Sequence, residues 1–575
     1  MKKEIFILLI LSMLIFSFCP TGVRQIDVPA VVGGASGGSL AIQVSVEPGE
    51  GNIYTSVYPK TGISTQSSEE NAVISSFLYS NKSLDECTIH FDVINTLNSK
   101  FVDGPSAGVA MAVATSAVLQ NKELRQDAVI TGTIDKNGNI GTVGGISEKT
   151  TSAAISGKKY FLTTIPSVRY KIISAALEDL GHIKMVDVRT LEEAIEIFFQ
   201  PTGSIIEKEP NPLENTKIPE NLTSIIKNEN LEKFSDIGNS MVDKFEIDIN
   251  EYSKIIGKNS SRYEFIDYFN KEIDIQRELL DKGYVFTAAN NIFLQEIDFE
   301  FLKRVGEIDL ELEQEEANTC IDSLDLFNKT ENNWQWISGS EMRLNWAEDK
   351  LNSLPLFSEK RTEGEEYPYL YEILYSKSWC NIAKNLNKKD NGNIINESNL
   401  ETYAKNKILL EQDYITKQPE INSESLRHLR TAQEAFNKKQ YITAIYDASF
   451  AHSLQEASSD SFYSKDIESL ADAMYKEKNK SSLWGQLYLT QAQYIYESGD
   501  KEGSYTIFML SDKFESTTAE IEEEFVKEIE DTSKNKEKPE ENKVDYMKFI
   551  WLLSGLIVLE SILLIYSAYL QQNTK

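Results

Sequence analysis

The chain has 575 residues, a formal net charge of −31, and 41% hydrophobic and 10% aromatic residues. This apolar content is typical of folded protein and excludes a chain that is disordered throughout. The acidic balance argues against nucleic-acid binding, which needs a basic face to meet phosphate groups. The length allows about four domains at roughly 150 residues each.

The N-terminal residues predict export. Lys2 and Lys3 precede an almost wholly apolar run at residues 5–18. This pattern fits a secretory signal and is short for a membrane-spanning helix. We assign residues 1–22, including Cys19, to a signal peptide or an uncleaved signal-anchor. Either form would place the following residues outside the cytoplasm.

Residues 28–200 predict an α/β domain, because alternating segments interleave with segments of helical periodicity. Residues 28–39 are small and glycine-rich, which indicates a bulged strand or a linker. The predicted strands are 40–46, 53–58, 87–93, 128–134, 140–143, 159–165 and 183–188. The predicted helices are 67–79, 109–119, 147–156, 167–180 and 191–199.

The remainder of the chain predicts a different organisation. Residues 201–215 contain three prolines and indicate a linker. Residues 216–530 predict a mostly α-helical domain in which segments at 432–451 and 492–503 resemble tetratricopeptide hairpins. No 34-residue period holds, so irregular helical hairpins are the alternative.

The C-terminal residues predict a membrane anchor. A Glu- and Lys-rich segment at 531–548 indicates a charged stalk. The apolar run at 549–570, with Glu560 near its middle, is long enough for a transmembrane helix. Together with the N-terminal signal, it predicts a single-pass protein of the cell membrane whose body lies on the extracytoplasmic side.

Cysteine usage does not indicate a metal site. The chain has four cysteines and no C-x-x-C sequence, so the spacing of a zinc site is absent. In an oxidising compartment Cys320 and Cys380 are able to pair, with isolated buried thiols as the alternative.

Residues 103–108, Asp-Gly-Pro-Ser-Ala-Gly, offer a candidate nucleophile. Ser106 lies at a predicted loop-to-helix junction, where its small neighbours would let a substrate carbonyl approach. The backbone of the loop formed by Gly104, Pro105 and Ala107 would bind an oxyanion. Taken alone, the hexapeptide favours a serine that caps the helix, because serine is a preferred residue at that position.

A nucleophilic serine needs a base. None of the four histidines lies in a recognisable triad motif, and no H-E-x-x-H sequence indicates a metalloprotease. Lys149 is the alternative, since a Ser-Lys pair is a known variant of the nucleophile–base arrangement. It follows Gly144-Gly145 at the start of a predicted helix, where burial and the helix dipole would lower the pKa of its amine. We predict neither a metal nor a cofactor.

The ordered set of motifs resembles the proteolytic domain of Lon proteases, the S16 family of serine peptidases with a Ser-Lys dyad. The motifs are 103–108, 130–134, 144–149 and Pro166 after a strand, and the spacing from Ser106 to Lys149 also matches. The resemblance covers about residues 38–200.

The resemblance implies a role for each matching residue. Ser106 would be the nucleophile, Lys149 the general base, Thr131 the residue that orients the lysine, and Asp103 an acid that tunes or gates the site. His90 falls where the family often has a histidine, although a packed strand residue is the preferred interpretation. Thr133 and Ser147 depart from the family pattern.

Typical Lon proteases carry an ATPase module, whereas this sequence contains no G-x-x-x-x-G-K-[ST] motif. The resemblance therefore implies an ATP-independent serine endopeptidase that cleaves unfolded or extended polypeptides at the membrane, outside the cytoplasm. It also implies a homo-oligomeric ring such as a hexamer. The alternative is a catalytically inactive Lon-like, membrane-anchored scaffold that binds partners through its helical domain.

Overall fold

The computed structural model describes residues 19–32, 36–94, 101–165, 167–179, 183–208, 213–220, 222–225, 229–258, 260, 262–354, 366–418, 421–460, 464–476 and 480–534. The chain divides into two compact units at Thr518. The first unit contains an α/β domain followed by a helical region.

The strands of the α/β domain are β1 Gly22–Val32, β2 Ser36–Pro48, β3 Ile53–Thr55, β4 Lys60–Thr61, β5 Cys87–Ile94, β6 Phe101–Val102, β7 Ala128–Ile130, β8 Thr133–Ile134, β9 Ile140–Gly141, β10 Tyr160–Thr163 and β11 Lys184–Asp187. Its helices are α1 Ile63–Tyr79, α2 Gly108–Leu119, α3 Ile146–Ile155, α4 Val168–Asp179 and α5 Leu191–Phe198.

Two sheets form the frame of this domain. The larger sheet has the strand order β1-β2-β5-β3, in which only β3 and β5 are parallel to each other. The smaller sheet has the order β11-β10-β7 and is parallel throughout. The hairpin of β1 and β2 pairs Gly22 with Val46 and Val32 with Ser36. The prediction placed the first regular strand at residue 40 and offered only a bulged strand or a linker at 28–39. It therefore missed the start of β1 at Gly22, because residues 1–22 were assigned to the N-terminal signal.

Helix α2 is the centre of the domain. All twelve of its residues are buried, and it packs against β1, β2, α1 and α5. A helix that is apolar on every side is stable only when it is surrounded by protein. The N-terminal end of α2, where the predicted nucleophile lies, is therefore held firmly by the packing of the domain.

The helical region begins after the irregular residues that follow α5. Its helices are α6 Glu229–Ile256, α7 Tyr263–Asp281, α8 Val285–Arg304, α9 Leu310–Asp322, α10 Trp334–Asn352, α11 Tyr367–Leu386, α12 Glu401–Thr416, α13 Ser423–Asn437, α14 Tyr441–Asp460, α15 Ser464–Met474, α16 Leu483–Glu497 and α17 Lys501–Lys534. Their lengths range from 11 to 34 residues among the described helices. Such unequal lengths favour the irregular helical hairpins that the sequence offers as the alternative to a tetratricopeptide repeat.

The predicted fold class requires one correction. No helix within the described ranges is long and apolar enough to cross a membrane. The longest, α17, carries charged residues along its length and so cannot form an apolar span. The described chain is an α/β domain followed by helices, without the transmembrane helix that the prediction included. The residues behind that prediction, 549–570, lie outside the described part, as do residues 1–18 and the stalk beyond residue 534.

Two disulfides join distant segments. Cys320 on α9 is bonded to Cys380 on α11, which decides between the two alternatives left open by the sequence. The second disulfide joins Cys19 to Cys87 at the start of β5. The assignment of Cys19 to the N-terminal signal was wrong, because this residue is buried in the core of the α/β domain.

Candidate active site

The predicted nucleophile lies in a sharp turn before α2. Gly104 adopts a φ of +136°, a backbone conformation that side chains other than glycine rarely tolerate. Pro105, Ser106 and Ala107 then form a single 3-10 turn that leads into α2 at Gly108. This turn leaves Ser106 half-buried at the surface of the domain.

Hydrogen bonds attach this turn to the segment between β7 and β8. The carbonyl oxygen of Ser106 accepts from the Gly132 N–H at 2.9 Å and from the Thr131 hydroxyl at 3.0 Å. The Val109 N–H in turn donates to the Gly132 carbonyl at 3.2 Å. The main chain at Ser106 is thus anchored to a buried strand, and the side chain is left to project from a rigid support.

Helix α1 holds the other side of the turn. The Ser68 hydroxyl donates to the Pro105 carbonyl at 3.3 Å. The Thr65 N–H, in the first turn of α1, donates to Asp103 Oδ1 at 3.2 Å. Thr65 and Ser68 were not predicted to contact this turn, because nothing in their spacing links them to residues 103–108. The Asp103 carboxylate therefore has a structural contact, as an acceptor at the N-terminus of a helix.

The predicted base is buried on α3. This helix begins after Gly145, whose φ is +68°, and the Lys149 N–H donates to the Gly145 carbonyl. The Lys149 side chain is 4% exposed, and its Nζ donates to Thr131 Oγ1 at 3.4 Å. Since the single hydroxyl hydrogen of Thr131 points to the Ser106 carbonyl, its oxygen is free to accept from the lysine. Thr131 therefore bridges Lys149 to the backbone of Ser106.

The surroundings of Lys149 disfavour its charged form. Burial lowers the pKa of Lys149 to about 8, and the neighbouring Glu148 carboxylate opposes this shift in part. Burial also raises the pKa of Glu148, which weakens that opposition. A lysine in this position is partly neutral near physiological pH and able to accept a proton.

Ser106 and Lys149 line the same cavity, which has a volume of about 660 Å³. The other predicted residues at its surface are Asp103, Gly104, Pro105 and Ala107. Pro105 has no N–H and so cannot donate to an oxyanion. The N–H groups of the other residues in this turn, Ser106 and Ala107, remain as candidate donors. Residues 28–31 of β1 and residues 142 and 143 also line the cavity, and they were not among the predicted site residues. Gly144, which lines the cavity as well, belongs to the glycine motif before Lys149.

The remaining candidates lie elsewhere. His90, on β5, has its Nε2 3.0 Å from Glu47 Oε1 and stacks on the ring of Tyr54. It is a packed strand residue, as preferred from the sequence. Within the described residues, no group of three or more His, Cys, Asp or Glu side chains is placed to hold a metal ion.

Comparison with known proteins identifies the domain. The family model of the Lon protease (S16) C-terminal proteolytic domain matches residues 31–200. The chain is 32% identical to a Lon protease of Mycoplasma mycoides subsp. mycoides, over 28% of this chain and 21% of that protein. It is 28% identical to an archaeal Lon protease of Thermococcus kodakarensis, over 30% and 27% of the two chains.

The matched region covers less than a third of each of these relatives. It coincides with the α/β domain, with the buried helix α2 and with the cavity that contains Ser106 and Lys149. Residues 31–200 of this chain are therefore a proteolytic domain of the Lon (S16) family of serine peptidases.

Proposed function

We propose that this chain is an ATP-independent endopeptidase in which Ser106 is the nucleophile and Lys149 is the general base. The observation that carries the proposal is the buried Lys149 side chain, which lines the same cavity as Ser106 and is linked to the Ser106 backbone through Thr131. Burial supplies the neutral amine that a lysine base requires.

The reaction proceeds through an acyl-enzyme. Neutral Lys149 accepts the hydroxyl proton as Ser106 Oγ attacks the peptide carbonyl, and N–H groups at the start of the helical turn stabilise the oxyanion. The Lys149 ammonium then donates its proton to the leaving amine. A water molecule, deprotonated by Lys149, attacks the ester carbonyl. The bond to Ser106 Oγ breaks, Lys149 returns the proton to Ser106 Oγ, and the second product leaves as a carboxylate. Thr131 keeps the lysine Nζ in place through both steps.

The outer strand β1 in the wall of the cavity favours extended polypeptides. Strand β1 is the outer strand in the order of its sheet and contributes residues 28–31 to the cavity wall. The free backbone groups of an outer strand pair readily with an extended peptide. A substrate bound in this way must be unfolded or loosely held. The sequence has no nucleotide-binding G-x-x-x-x-G-K-[ST] motif, in line with cleavage that needs no ATP.

The proposed enzyme acts outside the cytoplasm and as a homo-oligomer. The disulfides Cys19–Cys87 and Cys320–Cys380 support a place outside the cytoplasm, because disulfides persist in oxidising compartments. The family resemblance supports a homo-oligomeric ring, which the molar mass of the purified protein in solution would test.

Two substitutions test the dyad. We expect Ser106→Ala and Lys149→Met each to lower cleavage of an unfolded protein without ATP by ~10³-fold or more. The exposed residues Ser156 and Lys136 provide matched controls, and Ser156→Ala and Lys136→Met should retain activity. Near-normal cleavage by either dyad variant would exclude this mechanism.

A serine-reactive probe separates the enzyme from the inactive scaffold. The probe should label Ser106 of the wild-type protein at a rate that falls sharply in Lys149→Met. An unlabelled wild-type protein that is folded and does not cleave would favour the scaffold.

A further inference from the structure

The helical region contains a second cavity of about 320 Å³. Its walls come from eight of the described helices, α6, α8, α10, α11, α13, α14, α16 and α17, and are mainly aromatic and aliphatic. They include Phe286, Phe293, Trp346, Trp379, Trp484 and two arginines, Arg343 and Arg427. Arg427 already pairs with Asp349 and Glu424, which leaves Arg343 as the candidate for a ligand. Cavities that bind small ligands have volumes of about 300–1,000 Å³, so this one is at the small end of that range.

Arg343 is buried beside this cavity without a full set of partners. Its side chain is 4% exposed, and its guanidinium carbon lies 4.8, 5.8 and 4.5 Å from the ring centroids of Trp346, Trp379 and Trp484. Its Nε is buried without a hydrogen-bond partner, and one other nitrogen reaches the Gly339 carbonyl only at 3.5 Å. Burying a guanidinium in this way is costly unless an anion accompanies it.

Asp447, the acidic residue that acts on Arg343, already accepts hydrogen bonds from other side chains. Burial lowers the pKa of Arg343, and the Tyr488 phenol, which is hydrogen-bonded to the guanidinium, and Asp447 offset this shift only in part. The Asp447 carboxylate, however, accepts hydrogen bonds from Trp346 Nε1, His428 Nδ1 and the Thr431 hydroxyl, and it does not line the cavity. Among the described residues, no carboxylate lies within ion-pair distance of Arg343. The guanidinium therefore retains N–H donors that a ligand could satisfy.

We propose that this cavity binds an apolar molecule that ends in a carboxylate. The carboxylate would pair with the guanidinium of Arg343, and the apolar part would lie against the tryptophan and phenylalanine rings. The small volume excludes nucleotides, and the aromatic walls disfavour strongly polar ligands. A medium-chain fatty acid and a polypeptide C-terminus with an apolar last residue share this chemistry. The proposal does not depend on the Ser106–Lys149 dyad.

Calorimetric titration of the purified full chain tests the proposal with defined probes. Decanoate and a short peptide acid ending in Leu-Phe are compared with decanol and with the same peptide as its C-terminal amide. At least one acid should bind, and its neutral counterpart should bind at least tenfold more weakly. Binding of decanoate alone identifies a lipid-derived acid, and binding of the peptide acid alone identifies a polypeptide C-terminus.

Two variants keep the result interpretable. Arg343→Met should weaken binding of the acid at least tenfold, and Ala289→Phe should do the same by filling the cavity while leaving Arg343 in place. Arg277→Met, on an arginine paired with Asp243 and Glu246 outside the cavity, is the matched control and should bind normally. Circular dichroism verifies that each variant is folded. The proposal is overturned if neither acid binds, if neutral probes bind equally well, or if Arg343→Met or Ala289→Phe, once folded, binds the acid as the wild type does.

Discussion

The hydroxyl of Thr131 connects Lys149 to the backbone of Ser106. It donates to the Ser106 carbonyl and accepts from the lysine Nζ, so one small side chain sets the position of both residues. Because one N–H of the amine is engaged by Thr131, the orientation of its lone pair is restricted. A free lysine in water lacks both this restriction and the lowered pKa.

If Lys149 is the general base, its protonation predicts the pH dependence of cleavage. Only the neutral amine would accept the serine proton, and the pKa of Lys149 is lowered to about 8. Below that value the neutral fraction, and with it kcat/KM, should fall about tenfold per pH unit. The rate should level off above pH 8. Initial rates on an unfolded substrate between pH 6 and 9 measure this profile, with Lys136→Met as the control. A rate that is flat across this range would rule out Lys149 as the base.

Helix α1 contacts the turn that carries Ser106 through a hydrogen bond to Asp103. If the Asp103 carboxylate acts chiefly as a helix cap, Asp103→Ala should lower the free energy of unfolding by ~1 kcal/mol. Asp103→Asn keeps an acceptor for the Thr65 N–H and should retain most of that stability. Denaturant unfolding measures both variants.

The same pair of variants tests the other role predicted for Asp103, as an acid that tunes or gates the site. In that case Asp103→Asn would lower kcat/KM as strongly as Asp103→Ala, with little change in stability. The two roles therefore give opposite patterns for the asparagine variant.

At the scale of the molecule, one ion pair joins the proteolytic domain to the helical region. Arg169 on α4 donates to Asp298 on α8 at 2.7 Å and to the Tyr375 hydroxyl at 3.1 Å. Asp298 is buried, and burial raises its pKa although the Arg169 guanidinium acts in the opposite direction. The Asp298 carboxylate therefore depends on the Arg169 guanidinium to offset the free-energy cost of its burial.

Removal of Arg169 should consequently be costly. We expect Arg169→Met to lower the free energy of unfolding by about 3–5 kcal/mol, because it leaves Asp298 buried and unpaired. Adding Asp298→Leu should restore most of that loss. The exposed pair Lys233–Glu229 is the comparison, and Lys233→Met should cost less than ~0.5 kcal/mol. If Arg169→Met were as mild as Lys233→Met, the pair would not hold the two regions together.

The amino-acid sequence alone predicts much of the fold and of the candidate site. Alternation and helical periodicity placed most strands and helices of residues 40–199 within a few positions, because these signals depend on near neighbours. The ordered motifs around Ser106 and Lys149 identified the Lon proteolytic domain, since glycine turns and small residues mark the places where the backbone approaches closely. The helical character of residues 216–530 followed in the same way.

Other features depended on contacts between distant segments, which local patterns do not encode. The pairing of β1 with β2, the Cys19–Cys87 disulfide and the capping of α1 by Asp103 each join residues far apart in the chain. The irregular packing of the helices, and the cavity beside Arg343, arise where many helices meet. The burial that lowers the pKa of Lys149 is likewise a property of its packed surroundings. The sequence shows which residues are present and how they are spaced, whereas packing sets their solvation and their hydrogen-bond partners.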